Sequence, residues 1–131
     1  MATRATYTFK SPNGDKHIYI HWDGYPEGAA RYFKGMMDLR AEQRKSLSDL
    51  RGGLTEQFIR ANRGAELTKH WEVHGDTEWH YEITGSFEAV SVKVYALSYD
   101  DAGDRRGVQF FSGSMDEYLS LYLQQEDTHA N

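Results

Sequence analysis

Two short alternating segments on either side of Pro12-Asn13-Gly14-Asp15 constrain this chain more than any other feature. Residues 4–10 alternate around Ala5, Tyr7 and Phe9, and residues 16–22 around Ile18, Ile20 and Trp22. A period of two sends alternate side chains to one sheet face, and the run between them is a strong turn signal. The pattern predicts a β-hairpin. With Ser11 opposite Lys16, Phe9 faces Ile18, Tyr7 faces Ile20 and Ala5 faces Trp22 on the apolar side. The other side then pairs Thr8 with Tyr19, Thr6 with His21 and Arg4 with Asp23. A slip by one residue would scatter the apolar set over both faces.

Helical spacing follows. Ala29, Ala30, Phe33, Met36 and Met37 recur on one face, so the chain reads as a helix from Glu27 to about Leu39, opened by Pro26. The charged stretch Ala41–Leu50 either extends this helix or connects it to the next. Gly52-Gly53 marks a break. A second helix is expected from Leu54 to Asn62, burying Leu54, Phe58 and Ala61, with Gly64 as its cap.

Strands dominate the second half. Lys69–His74 and Glu78–Thr84 flank Gly75-Asp76-Thr77, the composition of a three-residue hairpin loop. That hairpin would set Val73 against Trp79 and Trp71 against Tyr81. Its polar side would pair His74 with Glu78, Glu72 with His80 and His70 with Glu82. Val90–Ser98 is a further strand with Val90, Val92, Val94 and Ala96 inward, and Gly107–Ser112 is the last. Met115 to Gln124 reads as a closing helix with Ser114 at its N-cap, burying Met115, Leu119 and Tyr122 or Leu123. Together these elements give the α+β class: an antiparallel sheet of about six strands with three helices, in the order ββααββββα, the helices mainly on one face.

The 131 residues suit a single domain spanning residues 1–131, with 125–131 as a frayed tail. The chain has no cysteine, which excludes disulfides, thiolate metal sites and cysteine nucleophiles and fits a cytoplasmic protein. The N-terminus lacks an apolar signal core, and no apolar run is long enough to span a bilayer, so no membrane partner is expected. A net charge of −5 argues against a broad electrostatic grip on nucleic acid. Nine tyrosines and three tryptophans exceed the needs of a small core and point to interfaces or stacking surfaces.

One segment is dense in chemistry. His21-Trp22-Asp23-Gly24-Tyr25-Pro26 joins the second strand to the first helix. The expected register brings Arg4, Tyr19, His21, Asp23 and Tyr25 to one rim of the sheet. Arginine and histidine there suit a phosphate or carboxylate. Asp23 could orient His21 for acid–base work, which makes His21 and Asp23 the catalytic candidates. The competing reading is structural: an Arg4–Asp23 pair anchors the loop while Trp22 packs in the core.

Other clusters carry less. His70 and His74 share a face in a strand but lie about 13 Å apart along it, too far to share an ion, so no metal site is expected. Arg40, Arg44, Lys45, Arg51, Arg60 and Arg63 are interleaved with Asp38, Glu42, Asp49 and Glu56, the pattern of an ordinary charged surface. Gly103-Asp104-Arg105-Arg106-Gly107 joins two strands and opens no helix, so it is no phosphate loop. Gly-x-Ser-x-Gly does not occur. No cofactor is implied.

Thr3-Arg4, followed by Ile18-Tyr19-Ile20-His21-Trp22-Asp23-Gly24-Tyr25-Pro26-Glu27-Gly28, resembles a family of small proteins from phages, prophages and bacterial genomes. Members open with a Thr-Arg strand and carry a Tyr-x-His-Trp-Asp-Gly-Tyr-Pro signature before a helix. The resemblance covers about the first 35 residues. Ile20 stands here where a cysteine often precedes the signature histidine. The resemblance implies a phage or mobile-element setting, in a host cytoplasm, and supplies no catalytic residues.

The leading expectation is therefore a small phage-type binding protein acting stoichiometrically on a host component, a host protein or a small nucleotide ligand, to blunt a defence system. A hydrolase or transferase acting on a nucleotide-like anion through His21 and Asp23 is the rival. A structural assembly protein, forming a homo-oligomer through Tyr95, Leu97 and Tyr99, is the third.

Overall fold

The computed structural model describes residues 3–11, 14–45, 54–69, 77–85, 89–99 and 105–130. The elements are β1 (Ala5–Lys10), β2 (Lys16–Ile20), α1 (Pro26–Lys45), α2 (Leu54–Ala61), β3 (Glu66–Thr68), β4 (Trp79–Gly85), β5 (Val90–Tyr99), β6 (Arg105–Ser114) and α3 (Met115–Ala130). The α+β class and the element order ββααββββα agree with the sequence pattern. The first helix begins at Pro26 and runs on through Lys45, taking in part of the charged stretch. The last helix extends to Ala130.

The β1–β2 hairpin forms in a register two residues from the expected one. Ala5 sits opposite Ile20, Tyr7 opposite Ile18, Phe9 opposite Lys16, Thr6 opposite Tyr19 and Thr8 opposite His17. A two-residue shift keeps every side chain on its expected face, so the alternation alone could not separate the two registers. The turn decides. Lys10 Nζ binds the Asp15 carboxylate at 3.1 Å, and the Ser11 amide donates to Asp15 Oδ1 at 3.2 Å. The Gly14 amide donates to the Ser11 carbonyl, with Gly14 at φ 120°, a conformation that favours glycine. The strands therefore close at Lys10 and Asp15, one step before Ser11–Lys16.

The sheet is mixed rather than wholly antiparallel. Its order is β3-β2-β1-β4-β5-β6, and β1 pairs with β4 in parallel. Glu66–Thr68 occupies the outer side of β2, so the chain re-enters the sheet on the free side of β1. The composition of β1 suits this central place: Ala5, Thr6, Tyr7, Thr8 and Phe9 are all buried, on both faces of the sheet.

This arrangement overturns the expected hairpin between residues 69–74 and 78–84. Strand β4 has β1 on one side and β5 on the other, which leaves no side for another strand. Residues 70–76, with His70 and His74, lie outside the described residues. The histidine–glutamate ladder gives way to other partners. His80 lies between Thr6 and Tyr95, bonded to Thr6 Oγ1 at 2.9 Å and stacked on the Tyr95 ring at 6.1 Å. Alternation within β4 holds: Tyr81 and Ile83 are buried among apolar groups, and His80 and Glu82 face the other way.

The helices pack on one face through aromatic rings. Tyr7 and Tyr81, neighbours on the parallel strands, stack at 4.9 Å with ring planes 9° apart. Phe33 of α1 meets Tyr7, Tyr81, Phe58 and Tyr118 edge-on or tilted, at 5.6–5.9 Å. Ala29 and Ala30 are wholly buried, and Met36 and Met115 complete the core. Helix α2 closes at Asn62, not Gly64: Asn62 Nδ2 donates to the Phe58 carbonyl at 2.9 Å and to the Tyr32 carbonyl at 3.2 Å. Helix α3 opens as expected at Ser114, whose Oγ accepts from the Glu117 amide at 3.0 Å and bonds the Glu117 carboxylate in return.

Among the described residues, the buried Tyr7 hydroxyl has no hydrogen-bond partner. A buried unsatisfied hydroxyl costs about 1–3 kcal/mol, whereas an apolar isostere of the same shape removes that cost. Tyr7→Phe is expected to leave stability unchanged or raise it by up to about 1 kcal/mol, read from the urea midpoint at constant slope. A loss above about 1 kcal/mol would show that the hydroxyl has a stabilising partner.

Candidate functional site

Strand β2 ends at the buried Ile20, and five residues carry the chain to Pro26, the first residue of α1. Proline suits that position because its fixed φ is helical and its missing N–H would be unused there. Tyr25 caps the helix, its carbonyl accepting from the Ala29 amide at 2.9 Å. Between them the chain reverses at Asp23, with φ 54°. Aspartate tolerates this left-handed conformation better than most residues.

The glycines of the segment are there for close approach. A Cβ on Gly24 would lie 2.6 Å from the Ala5 Cβ and 2.9 Å from the Thr3 carbonyl oxygen. A Cβ on Gly28 would collide with the Asp23 carbonyl. The Gly24 amide uses its close approach to donate to the Thr3 carbonyl at 2.8 Å.

Three tyrosines from three elements fasten the segment. Tyr32 of α1 donates its hydroxyl to the Trp22 carbonyl at 2.8 Å. Tyr81 of β4 donates to the Gly24 carbonyl at 2.6 Å. Tyr118 of α3 donates to the Pro26 carbonyl at 2.7 Å. Burial raises all three phenols above the ordinary tyrosine range, and the Asp23 carboxylate adds to the rise at Tyr32. The sequence pointed to none of these anchors. The one available signal was general: a buried tyrosine needs an acceptor for its hydroxyl.

The expected site residues divide. Arg4, Tyr19 and His21 come together on the sheet face away from the helices. Arg4 Nε donates to His21 Nδ1 at 3.4 Å, and the Tyr19 hydroxyl lies 3.3 Å from the same nitrogen. The two-residue register shift explains the meeting, since Arg4 now stands opposite His21 and not opposite Asp23. Tyr19 is buried, which makes it a support for His21, while Arg4 and His21 are half-buried. Asp23 is exposed on the reversing turn. Tyr25 turns to α1, where Arg31 Nη2 donates to its hydroxyl at 3.1 Å.

Trp22 departs furthest from expectation. It lies beyond the last paired residue of β2 and is 58 % exposed, not part of the core. Its ring meets His21 edge-on at 4.7 Å. The site thus gains an exposed aromatic surface beside the arginine and the histidine.

The Arg4 contact distinguishes the tautomers of a neutral His21 ring. A guanidinium N–H can only donate, so Nδ1 accepts and the neutral ring carries its proton on Nε2. That proton has no acceptor among the described residues. The arrangement sets an N–H donor beside a guanidinium. It does not offer the Nδ1–H that a carboxylate would need in order to orient the ring. His17 and His80 are bonded through Nδ1 to Thr8 and Thr6. Among the described residues, no group of three or more histidines and carboxylates is placed to hold a metal ion. Nor is any described helix long and apolar enough to cross a membrane.

Comparison with protein-family models, with curated proteins and with solved structures finds no match for this chain.

Two outcomes follow from the tyrosine anchors. Tyr81→Phe and Tyr118→Phe should each lower unfolding stability by about 1 kcal/mol or more, since each leaves a loop carbonyl without its donor. Alkaline pH should act on the same groups. Unfolded tyrosines titrate near pH 10, whereas burial keeps Tyr7, Tyr81 and Tyr118 protonated to higher pH in the fold. Below about pH 10 both states hold these protons and stability is flat in this respect. Above it the unfolded chain releases protons that the fold retains. Stability then falls by up to about 1.4 kcal/mol per pH unit for each group. Urea unfolding between about pH 9 and 11, with phenolate absorbance followed in parallel, checks this. A flat profile would contradict it.

Proposed function

We propose that this chain is a stoichiometric binding protein that holds a nucleotide-type anion at Arg4, His21 and Trp22. The observation that carries this reading is the convergence of Arg4 and Tyr19 on Nδ1 of His21. It sets the ring as a hydrogen-bond donor beside a guanidinium, a combination suited to a phosphate. The exposed Trp22 ring offers an apolar face for a base, and stacking of this kind contributes about 1–3 kcal/mol per base. The anchored loop supports binding further, because a ligand need not order it. In the phage or mobile-element setting implied by the signature resemblance, such a protein would sequester a host nucleotide signal.

Binding is favoured over turnover by the same geometry. A general base needs an available lone pair, and the lone pair of neutral His21 lies on Nδ1, toward Arg4. Asp23 is not the partner of that nitrogen.

Calorimetry and thermal shift with a panel of mono-, di- and cyclic nucleotides, and inorganic phosphate alone, test the proposal. At a hundred times the dissociation constant a ligand adds about 2.7 kcal/mol, enough to raise the melting temperature by several degrees. Arg4→Ala and Trp22→Ala should each weaken binding by about tenfold or more while the fold is retained. Asp23→Asn should leave binding intact. The proposal fails if no nucleotide shifts the melting temperature. It also fails if nucleotide is consumed and both His21→Ala and Asp23→Asn abolish that turnover in folded protein.

A further inference from the structure

One row across the sheet face away from the helices joins the candidate site to a carboxylate. Arg4 precedes β1, His21 follows β2 and Glu78 precedes β4. The strand registers set the three level, because Ala5 lies opposite Ile20 on one side and beside Trp79 on the other. Backbone bonds hold Glu78 in that row. Its amide donates to the Arg4 carbonyl at 2.9 Å, and its own carbonyl accepts from the Leu97 amide at 2.9 Å. Alternation along β4 gives position 78 the face of His80 and Glu82, the face on which Arg4 meets His21. Arg4 thus has His21 on one side and Glu78 on the other, each one strand spacing of about 5 Å away.

The surroundings of this row are acidic. Glu78 is exposed, and so is Glu66 of β3, which lies opposite Tyr19, the support of His21. An anion seated on Arg4 and the Nε2–H of His21 therefore feels the Glu78 carboxylate. Its first negative charge is matched by the guanidinium. A second charge is drawn to Arg4 and repelled by Glu78 from a comparable distance, so the two effects largely cancel. That second charge also binds water more strongly, and the water must be given up on binding.

We infer that the anion taken at Arg4 and His21 carries one negative charge, as a phosphodiester does and a terminal phosphate does not, and that Glu78 sets this preference. The inference rests on the nucleotide reading above and narrows it. A phosphodiester has two non-bridging oxygens, which match the two donor groups, the guanidinium and the imidazole Nε2–H. A terminal phosphate has a third, for which the row supplies a carboxylate in place of a donor.

Calorimetric titration of adenosine and guanosine monophosphates, and of the methyl diesters of both, tests this at low salt, where surface charge is least screened. Each pair shares its base and sugar. At neutral pH the members differ by a charge, since a phosphate monoester loses its second proton at about pH 6. The diester should bind about threefold or more tighter than the monophosphate. Glu78→Gln removes the carboxylate and keeps the backbone bonds, so it should tighten the monophosphate and bring the pair within about twofold. Glu42→Gln, at an exposed position of α1 on the helix-bearing side, should leave the preference as it is. A monophosphate that binds as tightly as its diester, or a preference unchanged in folded Glu78→Gln, would overturn the inference while the anion site stands. Binding of neither class would overturn the nucleotide reading itself, and this inference with it.

Discussion

Three phenolic hydroxyls reaching three alternate carbonyls, Trp22, Gly24 and Pro26, hold the loop on which the candidate site depends. The donors come from α1, β4 and α3, separated from their acceptors by 10, 57 and 92 residues. Each neutral hydrogen bond contributes only about 1 kcal/mol net. Their weight lies in what they couple. Tyr81 and Tyr118 are wholly buried, so the loop cannot leave without stranding their hydroxyls in the core. A connection that would ordinarily be mobile thus shares the stability of the sheet and helices.

This fastening rests on the parallel pairing of β1 with β4. Tyr81 reaches Gly24 because β4 lies directly beside β1, where the Tyr81 ring stacks on Tyr7. Were β4 at an edge, Tyr81 would have neither the stacking partner nor the carbonyl. The same pairing makes β1 central and buries Thr6 and Thr8 on the face away from the helices. There they bond His80 and His17, so the middle of that face is a closed polar layer. At the rim of that face Arg4 meets His21, and the exposed Trp22 ring lies against His21.

Local pattern was legible in the sequence and long-range pairing was not. Alternation placed the side chains of β1, β2, β4 and β5 on their observed faces, because period two is a property of each strand alone. Helical spacing found Ala29, Ala30, Phe33 and Met36, and Ser114 marked the start of α3. Register and strand order depend on partners. The two-residue shift closes the first hairpin at Lys10 and Asp15 and preserves every face, so no apolar pattern could reveal it. Insertion of β4 beside β1 depended on three-residue β3 covering β2, and so short a strand leaves almost no periodic signal. At the site, Arg4, Tyr19 and His21 were recognised as neighbours with the wrong mutual pairing. Trp22 was assigned to the core because the expected strand ran two residues too far.

Binding and catalysis would use the same residue types here, and the register separates them. In the expected register Arg4 stands opposite Asp23, with His21 beside them and Asp23 near enough to orient its ring for acid–base work. In the observed register Arg4 faces His21, and its Nε–H selects the tautomer with the proton on Nε2. The arginine and the histidine then both act as donors, the sense that the proposed anion site requires. Asp23, released from Arg4, serves the backbone by taking the left-handed turn that brings its carbonyl against Gly28. Two residues of hairpin register thereby separate Asp23 from Arg4 and set Arg4 beside His21 instead.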